Sequence, residues 1–442
     1  MFSLTDDFLS PGEVCIKPLQ ISKKKPRDDV VDDLPLAQKV AVSLQDCLAC
    51  AGCVTSAESV LIAAQSEKEF FSRLPQARLS VVSMAPEAVA SLAAHFGLPV
   101  AGAFGRLSTL FRREFGVHAV LSTGLADRVA VAERRAEFER HLEEGGRKAP
   151  LLASSCPGWI CFAEKSHPET LPAISRVQSG QQIMGTIVKR RAEQSLGLPP
   201  GQVYHACVMM CYDKKLEASR DDFRAGDGAS RTVDTVLATS EILGVIRERG
   251  INFVNLAESS NEAPYDALFG DLVDPHGDGQ GSGAQAADLF RWVARKKFGV
   301  VVEEVPFKAG RNVDVREAVL EVEGKQVMKV CVANGFRNIQ NVVRKLKGAG
   351  GWDFVEVMAC PSGCLNGGGQ IRADNPADRE AAKEKLAQTV LAYRSKASPG
   401  EDLEAFYRDF VGGAPGSDKA RQLFYTQYHP VPPLDSSIAV NW

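Results

Sequence analysis

The chain has 442 residues, more than one hydrophobic core usually serves, which predicts two or three lobes. Hydrophobic residues make up 45% and charged residues 24%, and the net charge of -3 gives no reason to expect direct binding to nucleic acid. The sequence has no apolar run of about 18 residues and no signal-peptide pattern, so neither membrane insertion nor secretion is expected. In a reducing compartment, 11 cysteines arranged in groups are more typical of metal ligands than of disulfides.

The first cysteine motif lies in residues 1–74, which we predict to form an N-terminal cluster segment. Cys47, Cys50 and Cys53 have the C-x2-C-x2-C spacing of bacterial ferredoxins, which arranges three thiolates around one iron–sulfur cluster. Because the fourth cysteine of the ferredoxin pattern is missing here, Cys15 is predicted to supply the fourth thiolate. Four thiolates also suit zinc, but zinc sites usually pair two C-x2-C motifs. The spacing therefore favours an iron–sulfur cluster over zinc.

Residues 75–395 alternate between short apolar runs and longer helical patterns, which is typical of parallel sheets flanked by helices. The strands are predicted at 79–84, 117–121, 150–155, 203–210, 234–239, 326–333 and 353–358. The helices are predicted at 87–96, 106–115, 127–142, 240–249, 336–347 and 378–393, with Asp127 as a cap. Residues 258–287 are rich in proline and glycine and are predicted to form a mobile loop.

Three of the predicted strands end on a cysteine, at Cys156, Cys211 and Cys360. In open α/β sheets, ligands bind beyond the carboxyl ends of the strands, so these thiols are expected to meet at one sheet edge. Cys364 follows one turn after Cys360, and the glycines at 367–369 allow backbone N–H groups to approach a sulfide-bearing anion. The four thiols are therefore predicted to form a second metal site.

The remaining cysteines of this region are predicted not to bind metal. Cys207 lies on the same strand as Cys211, and a rise of about 3.3 Å per residue separates them by roughly 13 Å. Cys161 lies in a helical pattern and Cys331 in an apolar strand pattern, where a cysteine usually serves as a small buried hydrophobe.

The segment 396–442 is predicted to be a C-terminal extension that lies over the surface, because prolines are scattered along it. It ends in Trp442, whose apolar ring a soluble protein would ordinarily hide. We therefore expect a partner protein to bind Trp442. The alternative is that the ring packs on its own domain.

Three stretches carry a resemblance to a known family: Ser155–Trp159, Met210–Glu217 and Met358–Gln370 resemble the signature motifs of iron-only hydrogenases. The resemblance covers residues 75–395. The chain also has a single N-terminal cluster motif. With both features it is similar to the eukaryotic hydrogenase-like family, which includes a cytosolic iron–sulfur assembly factor and a prelamin-recognition factor. The fold that this implies is α/β, with iron-only hydrogenase-like lobes and a small ferredoxin-like N-terminal segment.

The resemblance to the assembly-factor branch also implies a function. A protein of this kind carries two 4Fe–4S clusters and links an early scaffold ATPase complex to a late targeting complex, which delivers clusters to cytosolic and nuclear apoproteins. It works in the cytoplasm, with the nucleus as a second compartment, and binds neither membrane nor nucleic acid directly. In members of this family the last residue of the chain is a tryptophan. The resemblance therefore implies that a β-propeller subunit of the targeting complex binds Trp442.

The chain departs from the hydrogenase motifs at positions that matter for hydrogen chemistry. Ser155 stands where hydrogenases have a proton-shuttling cysteine, and a hydroxyl is a poorer relay than a thiol. Met210 and Ile371 replace prolines, which puts a pocket for a second iron pair in doubt. Lys214, which in hydrogenases holds a ligand of that iron pair, is expected to offset the negative charge of a thiolate-bound cluster. No catalytic residue and no hydrogenase activity are therefore expected.

Two other functions remain open from the sequence. An iron-only hydrogenase or electron-transfer enzyme would need a proton relay and an iron pair, which Ser155 disfavours. A prelamin-binding nuclear scaffold would not need two intact sets of cysteines.

Overall fold

The computed structural model describes residues 56–145, 149–262, 264–272, 282–310, 312–346, 351–373, 375–394 and 403–431. Their strands form two sheets. The strands are β1 Leu79–Met84, β2 Ala119–Ser122, β3 Leu151–Ala153, β4 Val203–Met209, β5 Thr235–Ala238, β6 Lys308–Ala309, β7 Val315–Val322, β8 Lys325–Asn334 and β9 Phe354–Met358.

The α-helices surround both sheets. In chain order they are α1 Ser56–Ala64, α2 Glu67–Arg73, α3 Pro86–Phe96, α4 Val100–Thr109, α5 Gly124–Glu143, α6 Pro157–Ser166, α7 Gly180–Leu196, α8 Asp213–Ser219, α9 Thr239–Glu248, α10 Tyr265–Phe269, α11 Ala284–Phe298, α12 Phe336–Leu346, α13 Arg379–Arg394, α14 Leu403–Phe406 and α15 Asp418–Phe424. Among the described residues no single helix is long and apolar enough to span a membrane. The helical segments Pro86–Phe96 and Val100–Glu114 together have the length and composition of a span, but the chain bends by 99° between them.

The first sheet is parallel throughout and has the strand order β2-β1-β4-β5. All its strand residues are buried, which explains why its strands are continuous apolar runs rather than alternating ones. One face packs against α3, α4 and α9, and the other against α5 and α7. This confirms the strands predicted from the sequence for this region.

The second sheet has the order β3-β9-β8-β7-β6 and is mixed. β3, β9 and β8 are parallel, whereas β7 pairs antiparallel with both β8 and β6. Strands β6 and β7 are not predicted from the sequence, because their apolar residues alternate with charged side chains and bury only part of one face. The predicted α/β fold is confirmed, with this antiparallel edge as the addition.

The structure corrects three expectations about loops and helix ends. Within the predicted loop 258–287, residues Tyr265–Phe269 form a helix, and Phe269 is buried in the core. Helix α5 begins at Gly124, three residues before the predicted cap. Asp127 instead accepts a hydrogen bond from the hydroxyl of Thr123 at 2.9 Å within the first turn.

Residues 403–424 of the C-terminal extension pack into the core, not over the surface as predicted. Phe406, Phe410 and Phe424 stack on one another and contact the face of the first sheet that carries α5 and α7. Tyr407 donates a hydrogen bond from its hydroxyl to the buried carboxylate of Glu133 at 2.6 Å. The aromatic residues therefore anchor residues 403–424 in the core. The expectation of a surface segment rested on the prolines and gave no weight to these aromatic residues.

A buried histidine in β4 makes the stability of the fold depend on pH. The Nδ1–H of His205 donates to the carbonyl oxygen of Thr232 at 3.1 Å, and its Nε2 accepts from the Ser83 hydroxyl at 2.8 Å. Burial lowers the pKa of His205 to about 4 from an ordinary value of 6.5. The unfolded chain therefore binds a proton at a pH where the folded chain does not.

We predict that acidification destabilises the fold through this residue. Its contribution to stability is complete above about pH 6.5 and is lost progressively as the pH falls towards about 4, with a loss of about 1 kcal/mol by about pH 5.5. Urea unfolding at several pH values measures it. His205→Asn, which cannot titrate, should remove this part of the slope. An unchanged slope in the variant would contradict the assignment to His205.

Candidate metal centre

The predicted cysteines lie at the carboxyl ends of strands in both sheets. Cys156 comes after β3 and Cys360 after β9, which are neighbours in the second sheet. Cys211 comes after β4 in the first sheet, and Cys364 lies in the 3₁₀ turn Gly363–Asn366. The expectation of one sheet edge is therefore corrected, because the site lies where the ends of two sheets meet.

Short contacts of backbone and sulfur atoms join the four segments. The N–H of Ala359 donates to the sulfur of Cys156 at 3.4 Å, which joins the ends of β3 and β9. The N–H of Gly369 donates to the carbonyl oxygen of Met210 at 3.0 Å, which joins the glycine-rich stretch to the end of β4. The sulfur of Cys364 lies 3.8 Å from that of Met358.

Close packing explains the glycines that follow Cys364. A Cβ atom at Gly367 would lie 2.4 Å from the Met210 carbonyl oxygen, and one at Gly369 would lie 2.9 Å from the Ala238 Cβ. Both distances are shorter than real carbon contacts allow, so a side chain would push the stretch away from Cys211. The N–H of Gly368 donates a hydrogen bond to the Cys360 thiol.

The thiols share one buried environment. Burial raises the pKa of Cys211 well above its usual range, and Asp213 raises it further. The other three thiols act on Cys211 in the same direction, which places all four within electrostatic reach of one another. The pKa values of Cys156, Cys360 and Cys364 are also raised, chiefly by burial.

This donor set fits a metal cluster. A buried thiol stays protonated until a cation takes the place of its proton, and four neighbouring thiolates would repel one another unless metal charge offset that repulsion. Among the described residues, no three Cys, His, Asp or Glu side chains are grouped so as to hold a single metal ion. A 4Fe–4S cluster instead presents a separate iron to each thiolate.

Lys214 lies in the first turn of α8, three residues after Cys211. Its ammonium is buried and donates to the carboxylate of Glu217 at 2.8 Å. Burial lowers the pKa of Lys214, but Glu217 and the thiols of Cys211 and Cys364 outweigh it, so the net shift is upward. The lysine is therefore held charged beside the cysteines.

Glu217 is a positioning residue to which the sequence alone assigned no role. Besides Lys214, its carboxylate accepts hydrogen bonds from the Ser179 hydroxyl at 3.0 Å and the Gln181 amide at 3.2 Å, both at the start of α7. Two signals in the sequence point to it: it ends the motif-like stretch Met210–Glu217, and it lies at i, i+3 from Lys214 on one helix.

Ser155 lines a small polar cavity beside the cysteines. The cavity has a volume of about 50 Å³, and Met210, Lys214, Met358 and Cys364 also line it. A space of this size holds a few water molecules. It is therefore much smaller than the ligand pockets of proteins that bind larger cofactors.

The other cysteines lie elsewhere in the fold or outside the described residues. Cys207 and Cys331 are buried within β4 and β8, and the sulfur of Cys207 lies 3.7 Å from the His205 Nε2. Cys161 is half-buried in α6. The residues predicted for the N-terminal cluster and for partner binding lie outside the described residues: Cys15, Cys47, Cys50, Cys53 and Trp442.

Comparison with known proteins gives matches along the whole chain. Residues 78–368 match the family described as iron only hydrogenase large subunit, C-terminal domain. The chain is 40% identical over 470 residues to a protein of Xenopus tropicalis named cytosolic Fe-S cluster assembly factor narfl, with 99% of this chain and 97% of that protein covered. It is also 40% identical, over 467 residues and with the same coverage, to cytosolic iron-sulfur assembly component 3 of Mus musculus.

Solved structures share the fold. A variant of an FeFe-hydrogenase from Chlamydomonas reinhardtii superposes with a TM-score of 0.69 at 24% sequence identity, over 82% of this chain and 98% of that one. At this identity the likeness shows the fold alone.

Proposed function

Because the chain belongs to the iron-only hydrogenase-like family of cytosolic iron–sulfur assembly factors, we propose that it carries two 4Fe–4S clusters and acts in the assembly of cytosolic iron–sulfur proteins. The observation that carries this proposal is the similarity to named assembly factors along 99% of the chain. The convergence of four thiols at the junction of the two sheets, two of them on buried and two on half-buried cysteines, supports it.

We assign the two clusters to separate sets of cysteines. One cluster is held by the thiolates at the sheet junction: Cys156, Cys211, Cys360 and Cys364. The other is held by the N-terminal set: Cys15, Cys47, Cys50 and Cys53. Each cluster would supply a redox-active iron–sulfur group. Its reduction potential depends on the charges near the cluster and on the hydrogen bonds that the protein donates to the sulfurs.

Residues around the junction site tune its charge. The ammonium of Lys214 offsets the negative charge of the thiolate-bound cluster, and Glu217 fixes the position of that ammonium. The N–H of Gly368 donates to the Cys360 sulfur and thereby stabilises its thiolate form.

Metal analysis tests the proposal. Protein purified without oxygen should hold about eight irons and about eight acid-labile sulfides, and should give EPR signals of reduced 4Fe–4S clusters. About four irons would contradict the second cluster. Zinc in place of iron would contradict both.

We predict that the protein evolves no hydrogen above background when supplied with a strong reductant. Ser155 lacks the low pKa that a relay needs, and the adjacent cavity is small, about 50 Å³. Ser155→Cys alone should not create activity, because the iron pair would still be missing. Gas chromatography measures the product, and robust hydrogen production by the unmodified protein would overturn the assignment as an assembly factor.

We propose that the protein links an early scaffold ATPase complex to a late targeting complex, in the cytoplasm and the nucleus. In this proposal the ring of Trp442 fills a pocket on a β-propeller subunit of the targeting complex. Buried aromatic anchors of this kind contribute at least about 2 kcal/mol to binding.

We therefore predict that Trp442→Ala weakens binding to the purified targeting complex about 30-fold or more, the equivalent of that free energy. Asn441→Ala is the matched control and should bind nearly as the unmodified chain does. Iron content should stay unchanged in both variants. Unweakened binding, or loss of iron with the tryptophan, would show that Trp442 has a structural role instead.

A further inference from the structure

An open groove of about 940 Å³ runs along the outer edge of the second sheet. One wall is the loop 300–306, and the other is strand β7 with Val319, Leu320 and Glu321. The strands that end at Cys156 and Cys360 lie on the opposite side of this sheet. The groove is therefore separate from the metal site.

The edge strand beside the groove is incomplete. β6 pairs with β7 at only two positions, Lys308 with Glu317 and Ala309 with Arg316. β7 continues to Val322, so within the described part of the chain its outer edge after Glu317 has no neighbouring strand. An unpaired strand edge presents N–H and C=O groups that can bind an added strand.

Both walls of the groove carry valines. The loop contains three consecutive valines, Val300–Val302, and the side chain of Val301 is 76% exposed. Val315 and Val319 line the facing strand and are half-buried. Exposed and half-buried valines beside a free strand edge are typical of a protein interaction site.

The rim of the groove is acidic. Glu303, Glu304 and Glu321 are exposed, and none forms an ion pair with another described residue. Lys329 also lines the groove, but its charge is already paired with Glu317 at 2.7 Å. Lys308 also lines the groove and is exposed, so the three glutamates outnumber the remaining lysine. The net charge of the rim is therefore negative and complements a basic ligand.

We propose that this groove binds an extended, basic segment of a partner protein, in which apolar side chains alternate with lysine or arginine. The segment adds as a strand to the free edge of β7. Its apolar side chains pack on the valines of the groove, and its basic side chains reach the glutamates of the rim. Binding by this surface does not depend on the clusters proposed above.

Binding of a defined peptide to the cluster-containing full chain tests the proposal. The probe is a fluorescein-labelled peptide of about eight residues with alternating lysine and valine, long enough to cover the free edge of β7. Fluorescence anisotropy should show saturable binding. Hydrogen exchange should show new protection of the backbone amides in 318–322. A peptide with glutamate in place of lysine should not bind.

Two exposed substitutions should weaken binding without disturbing the fold. We expect Val301→Asp and Glu303→Lys each to weaken the affinity at least about tenfold. Val254→Asp is the matched control, because Val254 is also exposed but lies outside the groove, and it should leave the affinity unchanged. Iron content checks that all three variants are folded.

Several results would overturn the proposal. They are the absence of saturable binding, equal binding of the acidic peptide, and unchanged affinity in Val301→Asp. Binding that appears only after deletion of the chain's own basic run, Lys23–Arg27, would assign the groove to that run. Self-association that Val301→Asp abolishes would assign it to a second copy of the chain.

Discussion

Replacing Cys364 with alanine is expected to remove about half of the iron and to destabilise residues 75–395 by more than about 4 kcal/mol, the scale of losing a structural metal site. The reason lies in where the thiols come from. Cys211 ends a strand of the first sheet, whereas Cys156 and Cys360 end strands of the second. A cluster bound to all of them joins the two sheets.

Iron analysis, EPR and thermal unfolding of the variant measure this effect, and Cys360→Ala should behave in the same way. Cys331→Ala is the matched control, because Cys331 is a buried cysteine of the same sheet that lies outside the proposed ligand set. Its loss should cost about 1 kcal/mol and no iron. Full iron content in the Cys364 variant, or unchanged unfolding, would contradict a cluster shared between the sheets.

Replacing Cys50 with alanine is expected to remove the other half of the iron while the α/β domain stays folded. Three of the four proposed ligands of this cluster lie within the run 47–53, so the cluster is built mainly from local sequence. The thermal transition of the large domain should shift by no more than a few degrees, on the order of 1 kcal/mol.

The predicted N-terminal segment and the α/β domain are in direct contact, so Cys50→Ala is a strict test of their independence. Phe70 and Leu74 belong to the predicted N-terminal segment, yet they pack in the core of the first sheet. Gln65 donates to the carbonyl oxygen of Lys215 at 2.7 Å and accepts from the N–H of Val236 at 3.0 Å. Loss of both clusters in Cys50→Ala would show that this contact transmits the damage, and that the predicted division at residue 74 is wrong.

Local sequence determined the parts of this protein that depend on short-range pattern. Continuous apolar runs such as 79–84 and 203–210 predicted the buried parallel strands, because a strand covered on both faces needs no polar side. The spacing of Cys47, Cys50 and Cys53 was by itself enough to indicate an iron–sulfur cluster. The placement of Cys156, Cys211 and Cys360 at strand ends indicated that a second site would form.

Only the tertiary structure decided how these parts meet. The strands that end at Cys156 and Cys211 belong to different sheets, and no local pattern encodes which sheet a strand joins. The burial of Phe406 and Phe424 depends equally on a distant surface formed by α5 and α7. The role of Glu217 depends on Ser179 and Gln181, which precede it by more than 30 residues. Strand pairing and side-chain burial are set by long-range contacts, and a single sequence specifies those contacts only through the folded chain as a whole.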